Sequence, residues 1–232
     1  MPVDVGDLLM HHCMRALRPR PGQRCLDLGA GSGRVARELA RGGAWVVAFD
    51  ASSDALAKGP SPWTKNAVRC AGDALAMPFA TRSFAAITSR HAFHHIHDLD
   101  GAFAEVGRVL APGGRLAVID GVAFGGDKVI GFLHRAFDLR DGGTHVRFAT
   151  LPRWRALMLA ARLHLVRVEA RAVTHDFEQW ARCANQPEPP LDQLRAHFQS
   201  ASPAVRAALR IVPAVGAPVR FTTIEAVLLG CR

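Results

Sequence analysis

Short runs that are apolar throughout alternate, along the first two-thirds of the chain, with segments whose apolar residues recur every three or four positions. The first pattern reads as strands buried on both faces and the second as amphipathic helices. Strands are expected at Arg24–Leu28, Ala44–Phe49, Asn66–Cys70, Phe84–Thr88 and Arg115–Ile119. Helices are expected at Val3–Leu17, with Asp4 as its N-cap, and at Arg34–Arg41, closed by Gly42-Gly43. Two more fall at Ser52–Lys58 and Leu99–Leu110, and the sharp turn Pro112-Gly113-Gly114 follows the latter. Alternation of this kind predicts an α/β fold, a parallel sheet with helices on both faces.

The remainder is less regular. Gly121–Ala149 mixes glycine with helix-like apolar residues and reads as an insertion or lid. Leu151–Ala161 reads as a helix, Leu163–Val173 as a strand and Phe221–Gly230 as a closing strand. Between the last two, Phe177–Leu209 reads as helical pieces broken by Pro187, Pro189, Pro190 and Pro203. A length of 232 residues suits one domain, here with 1–120 as a ligand-binding half and 121–232 as a substrate-facing half with a lid.

Composition narrows the class. With 49% hydrophobic and 21% charged residues, the chain is neither disordered, collagen-like nor a coiled coil. No apolar run approaches the roughly 20 residues of a membrane span. Asp4 and Asp7 precede any basic residue and no signal-peptide core follows, so a cytoplasmic protein is expected. The formal net charge is +9. Lys58, Lys65 and Lys128 are its only lysines, and the arginines are scattered without a run, so no nucleic-acid partner is expected. Anionic small molecules stay open as ligands. Five cysteines without a CxxC argue against a zinc site or a disulfide framework and for core fillers or inert thiols.

The most informative stretch is Leu26-Asp27-Leu28-Gly29-Ala30-Gly31-Ser32-Gly33-Arg34. A strand runs into three alternate glycines and a helix starts at once, so a ligand can approach bare backbone and the helix N-terminus. A dinucleotide fingerprint would need glycine where Arg34 stands. Taken alone, the loop is equally a tight strand-to-helix connection. Two further acids raise its value. Asp50 ends the second strand, where a carboxylate can accept from both hydroxyls of a ribose, and Asp73 follows the third.

LDLGAGSG (26–33), VVAFDAS (46–52), GDALAMPFATRSFAAITSRHAFHHIHD (72–98) and EVGRVLAPGGRLAVID (105–120) together resemble the class I S-adenosylmethionine-dependent methyltransferases. Within them the resemblance is to the ubiquinone/menaquinone-type small-molecule branch. It implies a Rossmann-like, doubly wound, seven-stranded sheet, mostly parallel with an antiparallel last strand, and S-adenosylmethionine as cofactor, with S-adenosylhomocysteine as product. Carried over by position, Asp27, Gly29, Ala30, Gly31 and Gly33 would hold the methionine portion. Asp50 and Ala51 would meet the ribose, and Gly72, Asp73 and Ala74 the adenine. Ser89 and Arg90 would line the floor beneath the methyl sulfonium. The chain departs from the family at Lys58-Gly59-Pro60-Ser61-Pro62, where a full helix is usual.

His91, His94, His95 and His97 invite a metal, but they face several directions and no carboxylate partner is evident from spacing, so none is expected. The family commonly has a His pair here, matched by His94-His95. His91, nearest the strand end, is the general-base candidate of the four. His145, with Arg147 as an anion clamp, is a second candidate in the polar stretch Asp138–Arg147, whose other reading is a solvated loop held by ion pairs. Trp63, Trp154, Trp180, Phe124, Phe132 and Phe137 read as pocket walls or core. The expected activity is methyl transfer to oxygen or carbon of a small aromatic, quinol-like or polyketide-like acceptor chosen by Gly121–Leu209, by a monomer or homodimer. A cofactor kept as a structural element for a rearrangement or binding module is the alternative, ahead of RNA methylation. Arg34 and the absence of tyrosine disfavour a nicotinamide dehydrogenase.

Overall fold

The computed structural model describes residues 17, 19–59, 64–183, 189–212 and 219–232. Apart from Leu17, the helix expected over Val3–Leu17 lies outside them, as do Cys13, Pro60, Trp63 and Pro187. Seven strands form one sheet: β1 Arg24–Leu28, β2 Trp45–Asp50, β3 Ala67–Ala71, β4 Phe84–Arg90, β5 Leu110–Gly121, β6 His164–Asp176 and β7 Arg220–Cys231. Their order is β3-β2-β1-β4-β5-β7-β6. The pairings β1 with β2, β1 with β4, β2 with β3 and β4 with β5 are all parallel. At β7 the direction reverses: the Arg232 amide donates to Gly114 O at 3.0 Å and the Val122 amide to Ile224 O at 2.8 Å, so the end of β7 meets the start of β5. The sheet is thus mostly parallel with an antiparallel last strand, as expected.

Among the described residues the named helices are α1 Arg34–Arg41, α2 Ser53–Ala57, α3 Leu99–Val109, α4 Asp127–Arg140, α5 Leu151–Ala160, α6 Phe177–Arg182, α7 Leu191–Gln199 and α8 Pro203–Leu209. Their ends follow local chemistry. Ser52 Oγ accepts from the Ala55 amide at 3.1 Å to start α2, and Asp98 Oδ1 accepts from Gly101 at 2.9 Å to start α3. The chain folds as two compact units. The first comprises the described part of 1–120 with Pro152–Glu169 and Ala226–Arg232, so it draws on chain well beyond 120.

In this unit α1 buries Val35, Ala36, Leu39 and Ala40 against a sheet face of small residues, among them Cys25, Val46, Ala48, Ala67 and Ala86. The register puts them on one face, Cys25 opposite both Val46 and Ala86, and Val46 opposite Ala67. Small side chains there let the helix lie close to the strands. Under α3, the Phe93 and Phe103 rings lie tilted at 4.9 Å and Trp154 meets Phe93 at 5.8 Å, so Trp154 is core. A Cβ on Gly107 would sit 2.8 Å from Ala161 O, which is how closely α3 approaches the backbone just past α5. Of the described cysteines only Cys25 is fully buried, its thiol pushed up to about 12 by desolvation; Cys183 is exposed.

The second unit is Gly121–Leu151 with Ala170–Glu225. Leu133, Ala136 and Phe137 of α4 pack with Trp180, Leu194, Phe198, Leu209 and Phe221. The region expected as a glycine-rich insertion therefore contains a regular helix with its own aromatic core. One boundary changed. Pro112-Gly113-Gly114 does not break the chain ahead of a short strand; it lies inside β5, because the Gly113 amide donates to Arg232 O at 3.1 Å and Gly114 O accepts from Arg232.

Candidate functional site

The carboxyl ends of β1, β2, β3 and β4 place the sequence-expected cofactor residues in the first unit. Gly29, Gly31 and Gly33 all have positive φ, at 72°, 51° and 76°. The Gly29 and Ala30 amides both donate to Phe49 O, at 2.8 and 3.0 Å, locking the loop onto β2. A Cβ on Gly29 would stand 2.1 Å from Ala92 Cβ, whereas one on Gly31 would meet nothing within 4 Å. Gly29 is thus required by packing, and Gly31 presents bare peptide to open space. Gly33 begins α1 with no side-chain cap.

The acids lie on this frame. Asp27 is buried and accepts from the Ala36 amide at 2.9 Å. Its pKa is raised to about 7, chiefly by desolvation and in smaller part by nearby Asp50, against the lowering Ala36 hydrogen bond and Arg90. Asp50 accepts from the Gly31 amide through Oδ2 at 2.7 Å and from the Ser52 amide through Oδ1 at 2.9 Å. Each oxygen retains lone-pair capacity for further donors. Ala51 is exposed beside it.

Past β3, the Gly72 amide donates to Asp50 O at 3.0 Å, and a Cβ on Gly72 would clash with the Phe49 ring at 2.8 Å. Asp73 is exposed, and its Oδ1 accepts from the Leu75 amide at 2.8 Å, turning the chain beside Ala74. That loop is pinned from α3. Arg108 donates to Met77 O at 2.8 Å and Phe79 O at 2.7 Å, while Glu105 accepts from the Met77 amide at 2.7 Å. Glu105 and Arg108 also pair with each other at 2.6 Å. At the end of β4, Ser89 is fully buried and its hydroxyl has no hydrogen-bond partner among the described residues, while Arg90 is half-buried. These residues fit a nucleoside carrying an amino-acid tail: open peptide at Gly31, carboxylates along the strand tips and an unsatisfied hydroxyl at Ser89.

Among the histidines the structure corrects one expectation. A carboxylate partner does exist: His94 Nδ1 lies 2.6 Å from Asp120 Oδ1, both side chains buried, and the His94 amide donates to Asp120 Oδ2 at 3.3 Å. The residues are 26 apart in sequence and meet because β4 and β5 are neighbours, so spacing gave no hint of the pair. His91 has φ 52°, in the left-handed region, and its amide donates to Ile119 O at 2.8 Å.

His145 stands in the second unit, in surroundings other than the solvated loop expected as one reading. It is buried, its ring 4.6 Å from Phe148 and 5.4 Å from both Phe137 and His134. Arg147 beside it is exposed. Nearby, Arg140 pairs with buried Asp141 at 2.7 Å and lies over the Phe137 and Trp180 rings at 4.8 and 5.0 Å. Trp180 and Phe137 are core in this unit, and Phe124 and Phe132 pack against it half-buried. A cavity of about 430 Å³ lies elsewhere, at the amino-terminal ends of β1 and β2 beside Arg24 and Trp45, opposite the glycine loop.

Residues 26–118 match the methyltransferase domain family. The chain is 34% identical over 182 residues to YafE of Escherichia coli K12, covering 77% of this chain and 87% of that one. It is 42% identical over 101 residues to the demethylmenaquinone methyltransferase of Corynebacterium efficiens, a match covering 44% of this chain and only 43% of that relative. Among solved structures, the YcgJ protein of Bacillus subtilis superimposes with a TM-score of 0.85 at 26% identity, covering 97% of this chain and 98% of that one.

Proposed function

The chain belongs to the class I S-adenosylmethionine-dependent methyltransferase family, and from that premise we propose that it methylates oxygen or carbon of a small aromatic, quinol-like acceptor. The observation that carries the cofactor side is the Gly31 amide held on Asp50 at 2.7 Å with open space beyond Gly31, the frame a ribose and its amino-acid tail require. When bound, S-adenosylmethionine supplies an electrophilic methyl on a sulfonium whose departure leaves a neutral thioether.

In this reading Asp27 and the amides of Gly29, Ala30, Gly31 and Gly33 hold the methionine portion. Asp50, beside Ala51, accepts from the ribose hydroxyls. Gly72, Asp73 and Ala74 receive the adenine on the loop that Arg108 pins. Ser89 and Arg90 form the floor under the reacting methyl. Acceptor recognition is assigned to the second unit, with exposed Arg147 as the cation for an acidic group and His145, walled by Phe137 and Phe148, as an acceptor contact. The name of the Corynebacterium relative supports a quinol-like acceptor.

Titration calorimetry with S-adenosylmethionine, followed by labelled methyl transfer to 1,4-dihydroxynaphthalene, tests the reading. Micromolar binding and S-adenosylhomocysteine release are expected. No heat from folded protein would remove the cofactor. Binding without S-adenosylhomocysteine in the presence of aromatic acceptors would instead point to a structural role for it.

A further inference from the structure

The amino-terminal ends of β1, β2 and β3 frame the concavity of about 430 Å³, whose walls include Gly22, Arg24, Trp45, Val47, Val68 and Phe84. Strand register explains why these side chains meet. Arg24 lies opposite Trp45, Leu26 opposite Val47, and Val47 opposite Val68, so all of them share one face of the sheet. The other face carries Cys25, Val46 and Ala67 beneath α1. Residues 72–83, which cross from β3 to β4, contain no helix that could cover the first face. Trp45 is accordingly 51% exposed and Val68 56% exposed.

Strands of a largely parallel sheet usually bury such residues on both faces. Here an indole and a valine stay half in water beside one cation. Arg24 is exposed, its guanidinium has no ion pair or hydrogen bond among the described residues, and it is the one charged residue among those lining the concavity. A floor of β-branched side chains, an indole along it and a single guanidinium at its edge match a flat ring that bears one negative group. The ring would take water off Trp45 and Val68, and the guanidinium fork meets a carboxylate through two parallel N–H bonds. The volume falls within the roughly 300–1,000 Å³ of small-molecule sites. A second copy of the chain fits less well. A two-fold contact over the same residues would bring two Arg24 cations together, and the lining holds no carboxylate to meet them.

We propose that this concavity is a binding site for a planar aromatic monoanion, its ring lying over Trp45 and Val68 beside Val47 and its anionic group held by Arg24. The strands β1 and β2 bear these residues at their first positions, and the glycine loop and Asp50 follow at their last, so the two sites share no side chain. An occupant here is therefore no reactant of methyl transfer, and the site stands whether or not that reading does.

The probes are 2-naphthoate, ionised at neutral pH, and its uncharged analogue 2-naphthylmethanol, followed by calorimetry and by proton–nitrogen-15 correlation spectra. In the native protein 2-naphthoate should shift the Trp45 indole and the amides of Gly22, Val47 and Val68. It should also bind roughly tenfold more tightly than the alcohol. Arg24→Gln should erase that preference and leave affinity for the alcohol unchanged, while Arg24→Lys should keep part of it. Trp45→Val should weaken both probes by about tenfold. Both side chains are exposed, so native urea midpoints are expected in the variants; should one unfold, the two probes compared on the native protein still decide. Equal affinity for acid and alcohol, shifts confined to residues outside the concavity, or no shift with either probe at about 1 mM would each overturn the proposal. So would a dimer in sedimentation runs without probe that Trp45→Val dissociates, since a second copy would then be the occupant.

Discussion

The backbone amide of Gly31 donates to Asp50 Oδ2 at 2.7 Å, so the glycine loop after β1 is tied to the tip of β2 by the same carboxylate that is proposed to meet the ribose. Asp50→Ala should therefore act twice, removing the hydroxyl acceptor and releasing the loop. Calorimetry with S-adenosylhomocysteine is expected to show a loss of about 1–3 kcal/mol. Asp50→Asn, which keeps one acceptor oxygen, should lose less. Native affinity in Asp50→Ala would place the ligand elsewhere.

Two glycines in that loop should fail in different ways. Gly29→Ala drives a methyl into Ala92 and keeps a positive φ, so it should cost about 2–5 kcal/mol of stability. Gly31→Ala has room for the methyl and should cost only about 1–2 kcal/mol of fold, for the left-handed backbone alone. The new methyl would stand in the proposed ligand space, however, and affinity should fall roughly tenfold or more. Urea unfolding and calorimetry on the two variants separate the effects.

Asp27 makes the fold sensitive to rising pH. Burial lifts its carboxyl from an ordinary 3.8 to about 7, so the folded state holds the proton more tightly than the unfolded chain does. That contribution is fully present below about pH 4 and is lost as pH climbs through 7, at most roughly 4 kcal/mol. Asp27→Asn should remove the decline between pH 4 and 7 in urea-unfolding midpoints. An unchanged pH profile in the variant would show that Asp27 titrates normally.

His175 acts in the opposite direction. Burial, helped by the Arg140 charge, lowers its pKa from 6.5 to about 4, and its Nε2 meets Thr223 Oγ1 at 2.8 Å. Its neutral form is favoured in the fold, so stability is present above pH 6.5 and is lost as pH falls through 4. His175→Gln, which can still bond Thr223, should flatten the acid side of the stability curve.

Arg108 fastens the loop that carries Asp73, through Met77 O and Phe79 O, and its charge and hydrogen bonds hold the Glu105 carboxyl below the usual range. Arg108→Met should lower stability by about 1–2 kcal/mol and speed proteolysis within 72–83. Binding of adenosine should weaken as well, since the loop is the proposed adenine seat. Unaltered adenosine binding would confine Arg108 to the scaffold.

Much of this architecture is readable because its determinants are local. Cys25–Leu28 is a short buried run, the three glycines follow directly, and the strand ends carry their own acids, so β1, α1 and the proposed cofactor edge emerge from contiguous residues. What escapes is made by distant partners. Asp120 reaches His94 only after the crossover through α3 sets β5 beside β4. Gly113 reads as a stop and becomes strand only because Arg232 arrives opposite it. His145 sits among Asp138, Asp141 and Arg147 in sequence, a polar context, yet α4 swings Phe137 over its ring and removes it from water.

Among the described residues, each unit holds a buried indole: Trp154 beneath α3 in the first and Trp180 against Phe198 and Phe221 in the second. Each half thus carries a buried emitter whose removal can be read by difference. Fluorescence difference traces between the native protein and its Trp154→Phe or Trp180→Phe versions can report whether the halves melt in one event or in succession.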